Sequence, residues 1–231
     1  WMEGARLQYG VSANYLDHVP MLNLSAAQQE LLEGVPDPGL RETARDFIVN
    51  RLFRRDYWVR GARRLAPADR AERLRAQRVI LAQPAARVKL KVSGIQGEAS
   101  LHEDVYRPIL DALADHAPRS LGEIEQLVAA RGVHLARIVE AVMILASSGA
   151  LHPAQSDEAI RDASQGTARL NERLCGMARY SEDVNCLASP ITGGAVQVGR
   201  VDQLFLLALG QGVKGSDGLA SFAGAALQAQ G

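Results

Sequence analysis

The sequence predicts an α+β fold that is predominantly helical, with a central winged-helix-like three-helix unit flanked by small α+β regions. Hydrophobic residues make up 47% of the 231 residues, which is ordinary for a folded protein and excludes global disorder. Apolar residues recur at helical spacing over several segments, whereas strand-like alternation is confined to short ones. These changes of pattern predict three regions, 1–100, 101–155 and 156–231.

The first region combines short strands with short helices. Residues 5–16 alternate loosely, which is typical of a strand. Ser25 and Gln28 have the spacing of a capping box, so we expect a helix to follow Ser25. Asp37-Pro38 predicts an N-cap with proline at the first helical position. The helix that follows is expected to carry one apolar stripe, made by Leu40, Ala44, Phe47, Ile48 and Leu52.

Three further elements complete the first region. Residues 57–60 are predicted as a strand, and 67–77 as a short helix. Residues 87–92 alternate between polar and apolar types more cleanly than any other segment, which predicts a strand. Glycines follow it, so residues 98–101 are expected to pair back across a turn.

The second region has the order of a winged-helix unit. Helices are predicted at 103–116, 121–130 and 134–148, each with apolar residues at helical spacing. A short strand at 149–153 follows them. Three helices and then a strand is the element order of winged-helix units, which bind DNA or serve as protein-interaction modules.

The third region opens with a long polar helix, 157–177. Residues 185–198 are predicted as a strand, a turn and a second strand. A buried helix is expected at 201–209, and the alanine-rich tail at 219–230 predicts one more helix.

Two cysteines, Cys175 and Cys186, are too few for a disulfide framework or a four-cysteine zinc site, so we expect two reduced thiols in a cytoplasmic protein. No apolar run reaches 18 residues, so no membrane-spanning helix is expected. The chain begins with Trp1 rather than methionine, which indicates a chain cut out of a longer one.

No catalytic, cofactor-binding or metal site can be assembled from the sequence. A nucleoside-binding site of the doubly wound type needs a glycine-rich turn between a strand and a helix, followed by an acidic residue. The nearest candidate, Thr192-Gly193-Gly194, has neither the acidic residue nor a following helix at the right spacing, so it is better explained as a hairpin turn. No pair of histidines brackets a glutamate at helical spacing, and neither cysteine has a neighbouring base. The chain alone is therefore not expected to be catalytic.

Charge is concentrated in one segment. Residues 41–91 hold 15 basic and five acidic residues, although the whole chain has no formal net charge. Such a block can bind phosphate, nucleic acid or a partner protein. The simpler explanation is that its arginines pair with acidic residues of the flanking segments and cover apolar surface with their stems.

Two stretches resemble one bacterial family. They are residues 47–56, with the sequence FIVNRLFRRD, and residues 187–194, with the sequence LASPITGG. They are similar to the regulatory and C-terminal portions of S-adenosylmethionine-dependent methyltransferases, including the protein-lysine methyltransferases of outer-membrane proteins. Residues 7–13 resemble the opening of the methyltransferase regulatory domain, 103–155 its middle winged-helix-like part, and 203–208 the C-terminal domain.

The resemblance implies a non-catalytic regulatory and substrate-recognition portion of a methyltransferase that acts on protein. S-adenosylmethionine would bind to a catalytic domain outside this chain, either attached to it or a separate partner. Arginine can bind carboxylates through two parallel hydrogen bonds at a domain interface. The candidate interaction residues are therefore Asn50, Arg51, Arg54, Arg55 and Arg60. A homodimer is left open.

Two other functions remain as alternatives. The first is a winged-helix transcriptional regulator that binds DNA. The helix at 134–148 offers Arg137 against Glu140 on its exposed positions, in a region with a net charge of −3, which suits a phosphate backbone poorly. The second is an enzyme of an unrecognised class, which a deep pocket with converging polar groups would support.

Overall fold

The computed structural model describes residues 3–228 and, for Glu3, the backbone alone. The chain divides into two compact units, Trp1–Pro153 and Ala154–Gly231. Helices dominate both units, and the strands form small antiparallel sheets. The predicted α+β, predominantly helical fold class is confirmed.

The first unit opens with a two-stranded ribbon, and two helices lie between its strands along the sequence. Strand β1 (Gln8–Ser12) pairs antiparallel with β2 (Asp56–Val59). Between them lie α1 (Ala26–Glu33) and α2 (Pro38–Ile48). Because the two strands are more than 40 positions apart in sequence, the ribbon ties both ends of this segment together. A small core joins the helices through Leu24, Leu32 and Val49.

Both helices begin where the sequence predicts. At α1, the Gln28 backbone N–H donates to Ser25 Oγ at 3.4 Å, and the Ser25 backbone N–H donates to Gln28 Oε1 at 2.8 Å. At α2, Asp37 Oδ1 accepts a hydrogen bond from the Leu40 backbone N–H at 2.7 Å. These caps satisfy backbone donors that have no partner inside the helix.

The predicted apolar stripe of α2 is wrong in part. Ala44 and Ile48 pack against the small core, but Leu40 and Phe47 are exposed. The helix ends at Ile48, and Asn50 adopts a positive φ of 48°, which is incompatible with a continuing right-handed helix. Side chains beyond that point therefore leave the helical face, as the exposed Leu52 does.

The middle of the first unit holds α3 (Pro67–Arg75) and the strands β3 (Arg78–Leu81), β4 (Lys91–Gly94) and β5 (Gly97–Ser100). The hairpin of β4 with β5 confirms the predicted pairing across the glycine turn. The strand predicted at 87–92 is wrong over its first part, because Ala85–Arg87 is a 3-10 turn and the strand begins only at Lys91.

Three helices form the centre of the first unit: α4 (Glu103–Ala112), α5 (Leu121–Val128) and α6 (Leu135–Ser147). They pack on a three-stranded sheet in which β3 lies between β6 (Arg119–Ser120) and β7 (Leu151–Pro153). The helices contribute fully buried side chains to the main core, among them Ile109, Leu110, Ile124, Ile138 and Leu145.

The three helices and β7 lie where the winged-helix prediction placed them. However, β7 pairs with β3, which precedes the helices, and in residues 3–228 no strand forms a hairpin with β7. The winged-helix assignment therefore stays a prediction. Val19 and Leu22 pack into the same main core as the three helices, so the first two predicted regions share one core. The division into three regions also stays a prediction.

In its described residues, 154–228, the second unit contains three helices and a hairpin. They are α7 (Asp157–Met177), β8 (Cys186–Ser189), β9 (Gly194–Gln197), α8 (Arg200–Gly210) and α9 (Ser216–Gln228). The predicted strand, turn and strand are confirmed as the antiparallel pair of β8 with β9. A small core holds α8 and α9 to the end of α7 through Ala178, Leu204 and Ala223. Residues 229 and 230 of the predicted tail helix lie outside the described residues, as does Trp1.

Candidate functional site

Several side chains near the start of the first unit bind one buried carboxylate. The Asp17 side chain is only 4% exposed and receives two hydrogen bonds from the Arg51 guanidinium, at 2.6 and 2.7 Å. Ser12 Oγ donates to it at 2.6 Å, and Asn14 Nδ2 donates at 3.2 Å. Arg45 Nη2 lies 3.6 Å from the same carboxylate. Asp17 therefore joins the end of β1 to α2 and to the chain that follows it.

Arg54 forms a second ion-pair centre, in which the central charge is positive. Its guanidinium lies 3.0 Å from Asp46, 2.9 Å from Asp56 and 3.9 Å from Glu42, and it stacks 5.2 Å from the centre of the Tyr9 ring. Burial opposes its charged form, but the hydrogen bonds to the carboxylates raise the pKa of Arg54 overall. Burial, followed by the nearby Glu42 carboxylate, raises the pKa of Tyr9 to about 12.

These two ion-pair centres hold the short segment from Asn50 to Arg55 at two points. Between the anchors, Leu52 is 81% exposed and Phe53 is 90% exposed. Phe47, in the last turn of α2, is 83% exposed, and its carbonyl oxygen accepts a hydrogen bond from the Asn50 N–H at 3.3 Å. We call Phe47, Leu52 and Phe53 the apolar surface. It lies on backbone fixed by strong charge-assisted hydrogen bonds.

The structure divides the five predicted interaction residues into two groups. Arg51 and Arg54 are engaged in the internal ion pairs described above, whereas Asn50, Arg55 and Arg60 are exposed. Arg60 donates to the backbone carbonyl of Ala5 at 2.9 Å. Arg55 has no ion-pair partner within residues 3–228. A role of the five in binding a partner stays a prediction.

Sequence reasoning missed Asp17 and the exposure of the apolar surface. No local pattern marks Asp17, because its main partner, Arg51, lies 34 positions away. The apolar stripe expected on the helix included Phe47 and Leu52, whereas Phe53 was given no role. The early turn after Ile48 was the missing information.

Both units also contain cavities of moderate size. In the first unit, a cavity of about 320 Å³ lies beside His102, Tyr106, Arg137 and Glu140. Arg137 and Glu140 lie 3.6 Å apart as an ion pair on α6, and burial raises the pKa of Tyr106 to about 12. Because Glu140 lies beside this arginine, the structure adds no support for DNA binding by α6.

In the second unit, a cavity of about 480 Å³ is lined by α7, β8 and α8. Asn171 at its wall is already engaged, donating to and accepting from the backbone of Ala188 at 2.8 and 2.9 Å. Both cysteines are free thiols. Across the described part of the chain, no three His, Cys, Asp or Glu side chains group so as to hold a metal ion. In the same residues, no helix has both the length and the apolar character needed to cross a membrane.

Comparison with known proteins identifies the segment that carries these ion-pair centres. Residues 1–60 match a family described as a predicted methyltransferase regulatory domain. The chain is also 37% identical, over 207 residues, to Uncharacterized protein sll1526 of Synechocystis sp.. That alignment covers 90% of this chain but 41% of the relative, so the chain spans less than half of that protein's length. The resemblance of the opening segment is confirmed, because residues 1–60 match the predicted methyltransferase regulatory domain family.

Proposed function

We propose that the chain is the non-catalytic regulatory and substrate-recognition portion of a bacterial S-adenosylmethionine-dependent methyltransferase that acts on protein in the cytoplasm. The match of residues 1–60 to the predicted methyltransferase regulatory domain carries this proposal. A catalytic domain outside the chain binds S-adenosylmethionine and performs the methyl transfer. The two free thiols support a reducing compartment.

The geometry of the matched segment supports a role in protein contact. It fixes exposed aromatic, aliphatic and arginine side chains on backbone that is held by two ion-pair centres. Aromatic residues and arginine are enriched in protein interfaces, and a rigid segment loses little conformational entropy on binding. Recognition of a partner domain or of a protein substrate uses this kind of surface.

Methyl transfer by two proteins tests the proposal. One is this 231-residue chain, and the other is the complete native polypeptide or complex in which the chain occurs. With radiolabelled S-adenosylmethionine and a bacterial protein extract, we expect label transfer by the complete protein and none by the chain alone. Calorimetry of the chain with S-adenosylmethionine should give no heat of binding.

Two results would overturn the proposal. One is methyl transfer, or binding of S-adenosylmethionine, by the 231-residue chain. The other is salt-dependent binding of the chain to duplex DNA without methyl transfer by the complete protein, which would favour the transcriptional regulator instead.

A further inference from the structure

We propose that the apolar surface of Phe47, Leu52 and Phe53 is the docking site for the methyltransferase catalytic domain, and that it enters an apolar pocket bordered by carboxylates. This inference rests on the proposed function and adds to it the contact surface and the chemistry of the partner. Three observations carry it: the exposure of these side chains, the rigidity of their backbone and the charge beside them.

The exposure is unusual for side chains of this size. Single exposed apolar residues are common on proteins, but Leu52 and Phe53 are adjacent in sequence and almost fully in water. Phe47 belongs to the same end of α2, because the Asn50 and Arg51 backbone N–H groups donate to carbonyl oxygens of its last turn. The hydrophobic effect favours covering such a group.

The backbone that carries these side chains is already ordered. Arg51 and Arg54, on either side of Leu52-Phe53, bind carboxylates at 2.6–3.0 Å. The two anchors point the intervening side chains into solvent in the free chain. Binding therefore requires little further ordering, which is the property of aromatic anchors that dominate interface energies.

The charge beside the apolar surface selects the partner. Arg55 lies two residues after Phe53 and is exposed. Further exposed arginines follow the far end of the four-residue strand β2, roughly 13 Å away at 3.3 Å per residue. These cations are Arg60, Arg63 and Arg64, and positions 57–68 contain no acidic residue. Arg55, Arg63 and Arg64 have no ion-pair partner within residues 3–228.

A partner with carboxylates around an apolar pocket complements this arrangement. A second copy of the chain does not, because a twofold-symmetric contact brings the same surface of each copy together and opposes arginine to arginine. The aligned part of the Synechocystis relative is 41% of that protein, so most of its polypeptide lies outside the region matched here. The family description makes a catalytic domain the expected occupant.

Photo-crosslinking in the complete native methyltransferase tests the assignment. A benzophenone amino acid replaces Phe53 in one sample and Leu127 in the control, because Leu127 on α5 is also exposed, at 59%. Mass spectrometry identifies the crosslinked peptides. We expect crosslinks from position 53 to the catalytic domain and none from position 127. Crosslinks from position 53 to a second copy of the chain, or to nothing, would overturn the inference.

Hydrogen exchange gives an independent readout without the bulky probe. Amides of residues 51–55 should exchange at least about tenfold more slowly in the complete protein than in the 231-residue chain. The Leu52→Ser/Phe53→Ser variant should lose that difference, and the Leu127→Ser control should keep it. Circular dichroism checks that both variants fold. Equal exchange in the complete protein and the chain would overturn the inference.

A charge reversal tests the nature of the partner surface. Arg55→Glu should lower the yield of crosslinks from position 53 by about tenfold, whereas Arg131→Glu, at another exposed arginine, should leave it unchanged. Methyl transfer is measured in the same complete protein. If transfer occurs and position 53 does not crosslink, the docking assignment fails and the proposed function stands. If no transfer occurs with any protein substrate, the proposed function fails, and the docking assignment fails with it.

Discussion

Replacing Asp17 by asparagine removes the negative charge from the first ion-pair centre and nearly preserves its shape. The Asp17 carboxylate is 4% exposed and faces the arginine side chains of Arg51 and Arg45, which are 20% and 11% exposed. Asparagine keeps one acceptor oxygen but presents an amide N–H₂ group where the second oxygen was. Both guanidinium groups would then remain buried without a counter-charge.

The expected loss of stability follows from that burial. Removing one partner of a buried ion pair costs about 3–5 kcal/mol, because the remaining charge is neither solvated nor neutralised. The asparagine oxygen retains part of the hydrogen bonding, so we expect a loss of about 3 kcal/mol. Such a loss is a large fraction of the stability of an ordinary domain.

Asp115 provides a matched control. It binds Arg119 through two hydrogen bonds of 2.6 and 2.7 Å, the same geometry as at Asp17, but its side chain is 54% exposed. The Asp115→Asn variant should therefore lose far less stability, since solvent and salt screen exposed ion pairs.

Urea denaturation measures both variants. Trp58 lies in the β1–β2 ribbon, where its ring meets the Tyr9 ring edge-on with the ring centroids 5.9 Å apart. When Trp1 is replaced by phenylalanine, the fluorescence of Trp58 reports on the first unit. Equal losses for Asp17→Asn and Asp115→Asn would refute the reasoning, because burial is what distinguishes the two carboxylates.

Three further predictions test other parts of the structure. Burial raises the pKa of the Tyr106 phenol from 10.0 to about 12, so the wild type should lose up to about 2.7 kcal/mol of stability between pH 10 and 12. The Tyr106→Phe variant should keep that stability. Below pH 10 the stabilities of the two proteins should be alike. The exposed Tyr180→Phe control should follow the wild type in denaturation at each pH. Arg54→Met should lower stability by roughly 3 kcal/mol in urea titration, since it leaves three carboxylates facing one another; no change would assign this centre no structural role. Gly94→Ala should lower the melting temperature, because its new Cβ would contact a backbone carbonyl oxygen, whereas Gly166→Ala on α7, with open space around it, should not.

Local signals predicted the elements that local chemistry determines. The capping box at Ser25 and the Asp37-Pro38 start each specify a helix within a few residues, and both helices begin there. The long helix α7 has the limits that its pattern predicts. The family resemblance came from short runs of residue types at 47–56 and 187–194, and it is confirmed over residues 1–60.

The failures share one physical origin. Residues 87–92 alternate because Val88 and Val92 both enter the main core, although the first of them follows a 3-10 turn rather than lying in a strand. Strand β3 was not predicted, because its partners β6 and β7 lie about 40 and 70 positions away along the sequence. Ion pairs such as Asp17 with Arg51 likewise depend on distant contacts, which no local pattern encodes.

The packing of Val19 and Leu22 sets a lower limit on what can be inherited as a unit. Both side chains are buried among residues contributed by β3, β4 and the three central helices. A gene fragment ending at codon 60 would encode the recognisable signature without the walls that enclose these two residues. A transferred segment that keeps these two residues buried must therefore extend well beyond residue 60, as far as the three central helices.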